Sequence, residues 1–332
     1  MSLAEDTPAT LSNGLVACPA AELPPGGRGI FVRARDGANL RVALWPREGA
    51  RGSVIISPGR TEFIEKYGEV VGELLARGYA VGVIDWRGQG LSQRMTADPL
   101  RGYIDDFGTY VADFAELAAG PFAALPKPWL LLAHSMGGNI AQLILQRLPR
   151  TFAAAALTAP LFGLLTGTLP MPVARLIAAS AGLGLASRYV PGGTAKSVLE
   201  ETFEENVVTH DARRYARARA IVLAEPRLAL GSPTLGWVKA ALAACDEIAA
   251  PGGPERVGIP MLLVLAGEEM LIDNARTKLI APRLPSAHVL EIAGARHEIL
   301  METDGVRAQF WQAFDAFAIK ALEGAKFVGG SK

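Results

Sequence analysis

The sequence predicts an α/β protein, a mostly parallel sheet with helices on both faces and a helical segment inserted late in the chain. Three observations predict it. Short β-type apolar runs alternate with longer stretches of helical spacing. That alternation stops after Pro160 and resumes only at Met261. The chain has 332 residues, half of them hydrophobic, with 36 Gly and 22 Pro, which suits a large core divided by many turns.

Taken in order, Ile30–Arg35 and Asn39–Trp45 read as a hairpin joined at Asp36-Gly37. Ser53–Ser57 is a buried strand closed by Pro58-Gly59, and Phe63–Arg77 is a helix stopped at Gly78. Ala80–Asp85 is the next strand. Helical spacing of Ile104, Phe107, Val111, Phe114 and Leu117 predicts a helix over Asp105–Ala118. The strand Trp129–Ala133 runs into His134-Ser135, the helix Gly137–Leu148 follows, and Ala153–Thr158 is again a strand. Strand character returns at Met261–Leu265 and Val289–Ile292, with a helix over Ala275–Leu284 between them. An amphipathic helix, Asp304–Leu322, carries Val306, Phe310, Phe314 and Phe317 on one side, and the tail Gly329–Lys332 reads as disordered.

The expected organisation is one core, residues 1–160 and 259–332, interrupted by a helical cap at 161–258. A cap inserted there lies over the carboxyl ends of the strands, where open sheets bind ligands. There is no internal repeat.

Lys plus Arg and Asp plus Glu number 33 each, so nothing in the net charge draws the chain to nucleic acid. Cys18 and Cys245 make neither a disulfide framework nor a metal-binding spacing, which suits a reducing cytoplasm. The stretch Met1–Asn13 has no basic or apolar region of the signal-peptide kind. Val173–Ala186, interrupted by Arg175, is too short to span a bilayer. A cytoplasmic protein is expected, and peripheral contact with the inner face of the membrane is compatible with this pattern. Nothing bears on oligomeric state.

The chemistry concentrates at Leu131-Leu132-Ala133-His134-Ser135-Met136-Gly137-Gly138, where a buried strand turns sharply into a helix. Such an elbow holds a serine Oγ exposed above the sheet at a helix N-terminus, provided small residues flank it two before and two after. Here these are Ala133 and Gly137, alanine standing where glycine is usual. A hydroxyl needs a base within hydrogen-bond reach to act as a nucleophile. Of four histidines, His134 adjoins Ser135 and points elsewhere, and His288 lies at a strand start. His297 sits in Ala293-Gly294-Ala295-Arg296-His297-Glu298, a loop between the last strand and the last helix, in the chain order Ser, acid, His. The acid that orients the imidazole should follow the strand Met261–Leu265, where Glu268, Glu269 and Asp273 are all available.

A charged tetrahedral intermediate needs two aimed donors, each contributing about 3 kcal/mol. The N–H of Met136 is one, and the N–H of Arg60, in the loop Pro58-Gly59-Arg60-Thr61-Glu62, is the other. The Arg60 side chain then places a bulky cation near the mouth. Asp85, Arg87, Gly88 and Gly90 read as a structural turn. Arg213, Arg214, Arg217 and Arg219 read as a solvated helix face, with phosphate binding the alternative.

Four stretches carry a resemblance: Ser-Pro-Gly-Arg-Thr-Glu (57–62), Asp-Trp-Arg-Gly-Gln-Gly (85–90), Ala-His-Ser-Met-Gly-Gly (133–138) and Gly-Ala-Arg-His-Glu-Ile-Leu (294–300). Together they resemble the lysophospholipase and monoacylglycerol-lipase branch of the α/β-hydrolases. Asn206-Val-Val-Thr-His210, Arg214-Tyr215 and Ser232-Pro-Thr-Leu-Gly-Trp237 resemble the bacterial lysophospholipases in particular. The likeness spans residues 25 to 320 and implies the α/β-hydrolase fold. It implies Ser135 as nucleophile, His297 as base, and Arg60 and Met136 as oxyanion donors. It favours Glu269 as the acid, with Asp273 the alternative.

The expected activity is hydrolysis of a lipid-like carboxylic ester, a lysophospholipid or monoacylglycerol, through an acyl-enzyme, with no metal and no organic cofactor. The apolar Leu161–Leu185 segment then either lines an acyl pocket or fills the cap. The alternatives are a serine aminopeptidase of the proline-iminopeptidase kind and an inactive binding protein on the same fold.

Overall fold

Residues 11–329 are described by the computed structural model; residues 1–10 and the tail residues 330–332 lie outside that range. The first described residues already pair. β1 (Leu11–Ser12) and β2 (Leu15–Val16) form a two-stranded hairpin across Asn13-Gly14, both at positive φ, as a tight hairpin turn requires.

The main sheet begins with β3 (Arg28–Arg33) and β4 (Asn39–Trp45), paired antiparallel. Strand β3 starts and ends two residues before the expected Ile30–Arg35. The turn takes over at Ala34, where the Ala34 carbonyl accepts from the Gly37 N–H and Asp36 Oδ1 accepts from the Ala38 N–H. Strand β5 (Ser53–Ser57) leads through a single 3₁₀ stretch, Ile64–Tyr67, into α1 (Gly68–Ala76), and β6 is Ala80–Asp85. Helix α2 (Gly108–Ala119), strand β7 (Trp129–His134), helix α3 (Met136–Arg147) and strand β8 (Ala154–Thr158) follow. Before the next strand the chain adds α4 (Met171–Ala179), α5 (Ala212–Ala224) and α6 (Leu235–Ala249). The fold closes with β9 (Met261–Ala266), α7 (Asn274–Ile280), β10 (Ala287–Ile292) and α8 (Asp304–Gly329).

The strand order is β10-β9-β8-β7-β5-β6-β4-β3, parallel from β10 to β6 and antiparallel at β4 and β3. Strands β5 to β9 are buried along their whole length, because helices cover both faces, whereas the edges β3 and β10 and the first residue of β4, Asn39, reach solvent. Alternate side chains divide between two cores, as the two-residue period of a strand demands. On one face Ile55, Leu131, Leu157 and Leu263 meet Phe107, Phe114 and Ile140. On the other, Val54, Ile56, Leu130 and Leu132 meet Val70, Phe310 and Phe314.

Helix α6 belongs to the first of these cores although it lies within the segment expected as cap. Its Trp237, Ala241, Ala244 and Ile248 are buried in the same cluster as Ile140 and Ile144 of α3. Helix α5 instead joins Phe63 and Leu228 in a third cluster through Tyr215, Ile221 and Val222. Among the described residues no helix is long and apolar enough to cross a membrane.

Candidate active site

The elbow follows from local sterics. Ser135 follows β7 directly and caps α3 at φ 53° and ψ −119°, a conformation that L residues adopt only under constraint. Backbone bonds on both sides of the residue impose it. The Ser135 N–H donates to the Thr158 carbonyl at 3.1 Å, and the Ser135 carbonyl accepts from Gly138 and from Leu161 at 2.8 and 3.0 Å. Gly137 cannot be larger, because a Cβ there would stand 2.0 Å from the Ser57 carbonyl oxygen. Ala133, by contrast, fits in the core between Ser57 and Leu157 of the neighbouring strands, and so replaces the usual glycine.

The loops after β9 and β10 bring two side chains to Ser135. The Ser135 hydroxyl lies 2.9 Å from His297 Nε2, and His297 Nδ1 lies 2.8 Å from Glu269 Oε2. Both partners of that second contact are almost wholly buried. The other Glu269 oxygen accepts from the Leu271 and Ile272 N–H groups at 2.8 and 3.2 Å. Burial opposes the charge on Glu269, but the His297 hydrogen bond and these two amides hold its carboxyl below the usual range. Asp273 does not meet the imidazole: its Oδ1 accepts from the Ala275 N–H at 2.9 Å and caps α7. Glu268 turns to His210 at 3.2 Å.

The remaining histidines have other settings. His134 Nδ1 stands 3.2 Å from both oxygens of Thr158, and burial pushes the ring down to about 4, so it is neutral near pH 7. His288 is exposed on the edge strand β10.

Gly59 packs against Ser135: a Cβ on Gly59 would stand 3.2 Å from that of the serine. Among the described residues neither the Arg60 N–H nor the Met136 N–H has a protein acceptor. The loop that carries Arg60 is clamped by two side chains for which no role was read from the sequence. Glu62 Oε2 accepts from the Gly59 N–H at 2.5 Å and from the Tyr67 hydroxyl at 2.7 Å, while Gln89 donates to the Gly59 and Glu62 carbonyls. Burial alone would raise the Glu62 carboxyl. The Lys66 ammonium 3.0 Å away, the His134 ring and the two hydrogen bonds outweigh burial and hold it at about 2.

The Arg60 side chain is not a free cation at the mouth. Its guanidinium donates to the Gly231 carbonyl at 2.6 Å and lies over the Trp237 ring, and burial brings it down to about 10. Asp85 is the hub of a structural turn, as expected. It accepts from the Ile64 and Leu91 N–H groups and from Arg41, which the β4–β6 register sets opposite it. The arginines of α5 are not a solvated face throughout. Arg214 is buried against Glu69, Asp211 and Asp304, and Arg217 pairs with Glu22 and Glu69. The Leu161–Leu185 segment divides: Leu161 and Phe162 are core, while Leu165, Leu169, Val173, Leu176 and Leu183 are exposed.

This strand order, with a strained serine at the switch from β7 to α3, defines the α/β-hydrolase class. The chain belongs to the family described as "Serine aminopeptidase, S33", whose model matches residues 48–304, and within it to the lysophospholipase and monoacylglycerol lipase branch. It is 38% identical over 267 residues to lysophospholipase L2 of Escherichia coli (strain K12), a match covering 77% of this chain and 76% of that one. It is 26% identical over 273 residues to the monoacylglycerol lipase of Mycolicibacterium smegmatis, covering 81% and 89%. Its fold is similar to that of a soluble variant of monoglyceride lipase from Saccharomyces cerevisiae, with a TM-score of 0.69, 18% identity and coverage of 88% and 94%.

Proposed function

We propose that the chain is a serine hydrolase of lipid-type carboxylic esters, lysophospholipids or monoacylglycerols, acting through an acyl-enzyme. The observation that carries this reading is the unbroken line from Ser135 Oγ through His297 to Glu269. Kinship to lysophospholipase L2 supports the substrate class.

In this mechanism Ser135 Oγ attacks the ester carbonyl carbon while His297 Nε2 takes its proton. Glu269, ionised at neutral pH, fixes the tautomer that presents a free Nε2 and stabilises the imidazolium that forms. The tetrahedral oxyanion sits at the α3 N-terminus and accepts from the N–H groups of Met136 and Arg60. His297 returns the proton to the leaving alcohol. Water, deprotonated by the same imidazole, then releases the fatty acid and restores Ser135. The scheme calls for no metal and no organic cofactor.

Residues 161–258 act as the cap, with α6 rooting it on the core. The exposed apolar side chains between Leu165 and Leu183 are the contact with a lipid surface, from which such a substrate is drawn. The name of the family, Serine aminopeptidase, S33, raises aminopeptidase activity as a second reading. That activity needs a carboxylate free to bind the substrate's amine, whereas Glu298, next to His297, is paired with Lys66 at 2.5 Å.

A panel of lysophospholipid, monoglyceride, short p-nitrophenyl ester and aminoacyl amide substrates tests the proposal. Long-chain esters are expected to be cleaved fastest. Preference for the aminoacyl amides overturns the lipid reading, and failure of a fluorophosphonate to label Ser135 overturns the hydrolase reading altogether.

A further inference from the structure

A second histidine binds the inserted segment to both loops of the candidate site. His210 precedes α5 and stands between two carboxylates, with Nδ1 2.8 Å from Glu302 Oε1 and Nε2 3.2 Å from Glu268 Oε2. Glu302 is fully buried, and its carboxylate also accepts from the N–H of Arg296, the residue before His297, at 3.0 Å, and from the Thr303 N–H at 2.9 Å. Glu268 is the residue before Glu269, and its own N–H donates to the Ala295 carbonyl at 2.9 Å. One imidazole therefore spans the loop that carries His297 and the loop that carries Glu269.

The turn before His210 adds to the same attachment. The Val208 carbonyl accepts from the Glu298 N–H at 2.8 Å, and the Thr209 hydroxyl donates to the Met301 carbonyl at 2.7 Å. The Arg296 guanidinium donates to the Asn206 carbonyl at 3.1 Å, and that of Arg214 to the Glu302 carbonyl at 2.9 Å. Asn206 Oδ1 accepts from the Val208 and Thr209 N–H groups, which fixes the turn itself. His297 is thus flanked on both sides, at Arg296 and at Glu298, by residues bonded to this turn.

We infer that His210 is a positioning residue for the Ser135–His297–Glu269 line, holding the histidine and acid loops in register through Glu302 and Glu268. The inference rests on the serine-hydrolase reading above. Reacting groups must be aligned to within a fraction of an ångström, and a displacement of about 1 Å caused by a change away from the chemistry lowers turnover by roughly 10²-fold. His210 touches neither Ser135 nor His297, so it acts only through the loops.

The test compares His210→Ala, His210→Asn and the parent protein in kcat, KM, thermal midpoint and the rate of fluorophosphonate labelling at Ser135. Asparagine sets an amide donor near the place of Nδ1 and keeps the side-chain bond to Glu302, whereas alanine removes both imidazole bonds and leaves, from residue 210 to Glu302 Oε1, only the backbone N–H at 3.1 Å. The alanine variant is expected to lose on the order of 10²-fold in kcat and in labelling rate with KM little changed. The asparagine variant is expected to recover most of that loss. Should the alanine variant not fold, His210→Gln, which misplaces the donor to Glu302, takes its place in the comparison.

Wild-type labelling and kcat in the alanine variant overturn the inference, as does a raised KM at unchanged kcat. Equal losses in the asparagine and alanine variants that track a lowered midpoint also overturn it, since that pattern belongs to folding alone. Absence of labelling in the parent protein is a different result: it removes the hydrolase reading and with it this inference.

Discussion

Glu269 and Asp273 share the loop after β9, yet only Glu269 reaches the imidazole, at 2.8 Å, while Asp273 caps the helix that follows. Glu269→Gln keeps the shape but replaces the charged acceptor, so the wrong tautomer of His297 is favoured and kcat should fall by roughly 10⁴-fold. Asp273→Asn keeps a good helix cap and should leave kcat near wild type. Steady-state kinetics at matched stability decide it, and a larger loss in the Asp273 variant reverses the assignment.

Ser135 is both the proposed nucleophile and a residue under backbone strain, and two substitutions separate the two. Both Ser135→Ala and Ser135→Gly should lower kcat by roughly 10⁶-fold. They should differ in stability. Alanine retains the Cβ that makes φ 53° unfavourable, whereas glycine adopts it freely, so Ser135→Gly should be the more stable by about 1–3 kcal/mol. Urea midpoints of the two inactive proteins measure that difference. Equal midpoints mean that the elbow holds no strain at this residue.

Glu62 makes a prediction in pH. Its carboxyl sits at about 2 in the folded protein against the usual 4.5. Between those values the unfolded chain binds the proton and the folded chain does not, so stability rises with pH there and falls as the pH is lowered. The contribution is complete above about pH 5 and is lost progressively toward pH 2. Glu69, also held at about 2, acts in the same window. Denaturant unfolding across this range should show the loss, with a shallower dependence in Glu62→Gln. The same variant should lose turnover, because the Gly59 N–H then donates to a neutral amide oxygen and the loop that aims the Arg60 N–H slackens. A Glu62→Gln profile parallel to wild type rejects the assignment of that stability to Glu62.

What the sequence made legible, and what it hid, separates by range along the chain. The bounds of Ser53–Ser57 and Ala80–Asp85 are legible in the sequence, because a buried run closed by Pro58-Gly59 or by a polar turn is a local signal. Ser135 and His297, far apart in sequence, can be paired from sequence because the elbow motif marks the serine and the loop between the last strand and the last helix marks the histidine. Long-range partners were hidden. The α5 arginines resembled a solvated face because Glu69, Glu22 and Asp304, which neutralise them, come from remote segments. Helix α6 displayed an apolar face but not its partner α3. The buried Glu62 gives no periodic signal at all, and its clamp on Gly59 depends on a loop conformation that no local pattern encodes.

The apolar side chains of the inserted segment make the last prediction. Leu176 is 73% exposed and Leu183 81%, so neither stabilises the fold by burial, and their value lies in what covers them. A lipid surface would bury such a leucine for about 1.5–3 kcal/mol each. The double variant Leu176→Ser/Leu183→Ser should therefore fold as wild type and hydrolyse a dissolved butyrate ester at the wild-type rate. On lysophospholipid presented in micelles or vesicles it should be slower by one to three orders of magnitude, to the extent that surface binding limits the rate. Acyl length supplies the second axis. If the chain enters an apolar site, kcat/KM on monomeric esters should rise by up to about fourfold per methylene before flattening. Loss on micelles with a flat acyl profile would mean that these leucines serve the surface alone and that the acyl chain stays outside the protein. A steep profile with no loss on micelles would place the selectivity inside the site and remove the surface role. Unchanged micellar activity together with a flat profile from acetyl to decanoyl esters would count against a lipid substrate.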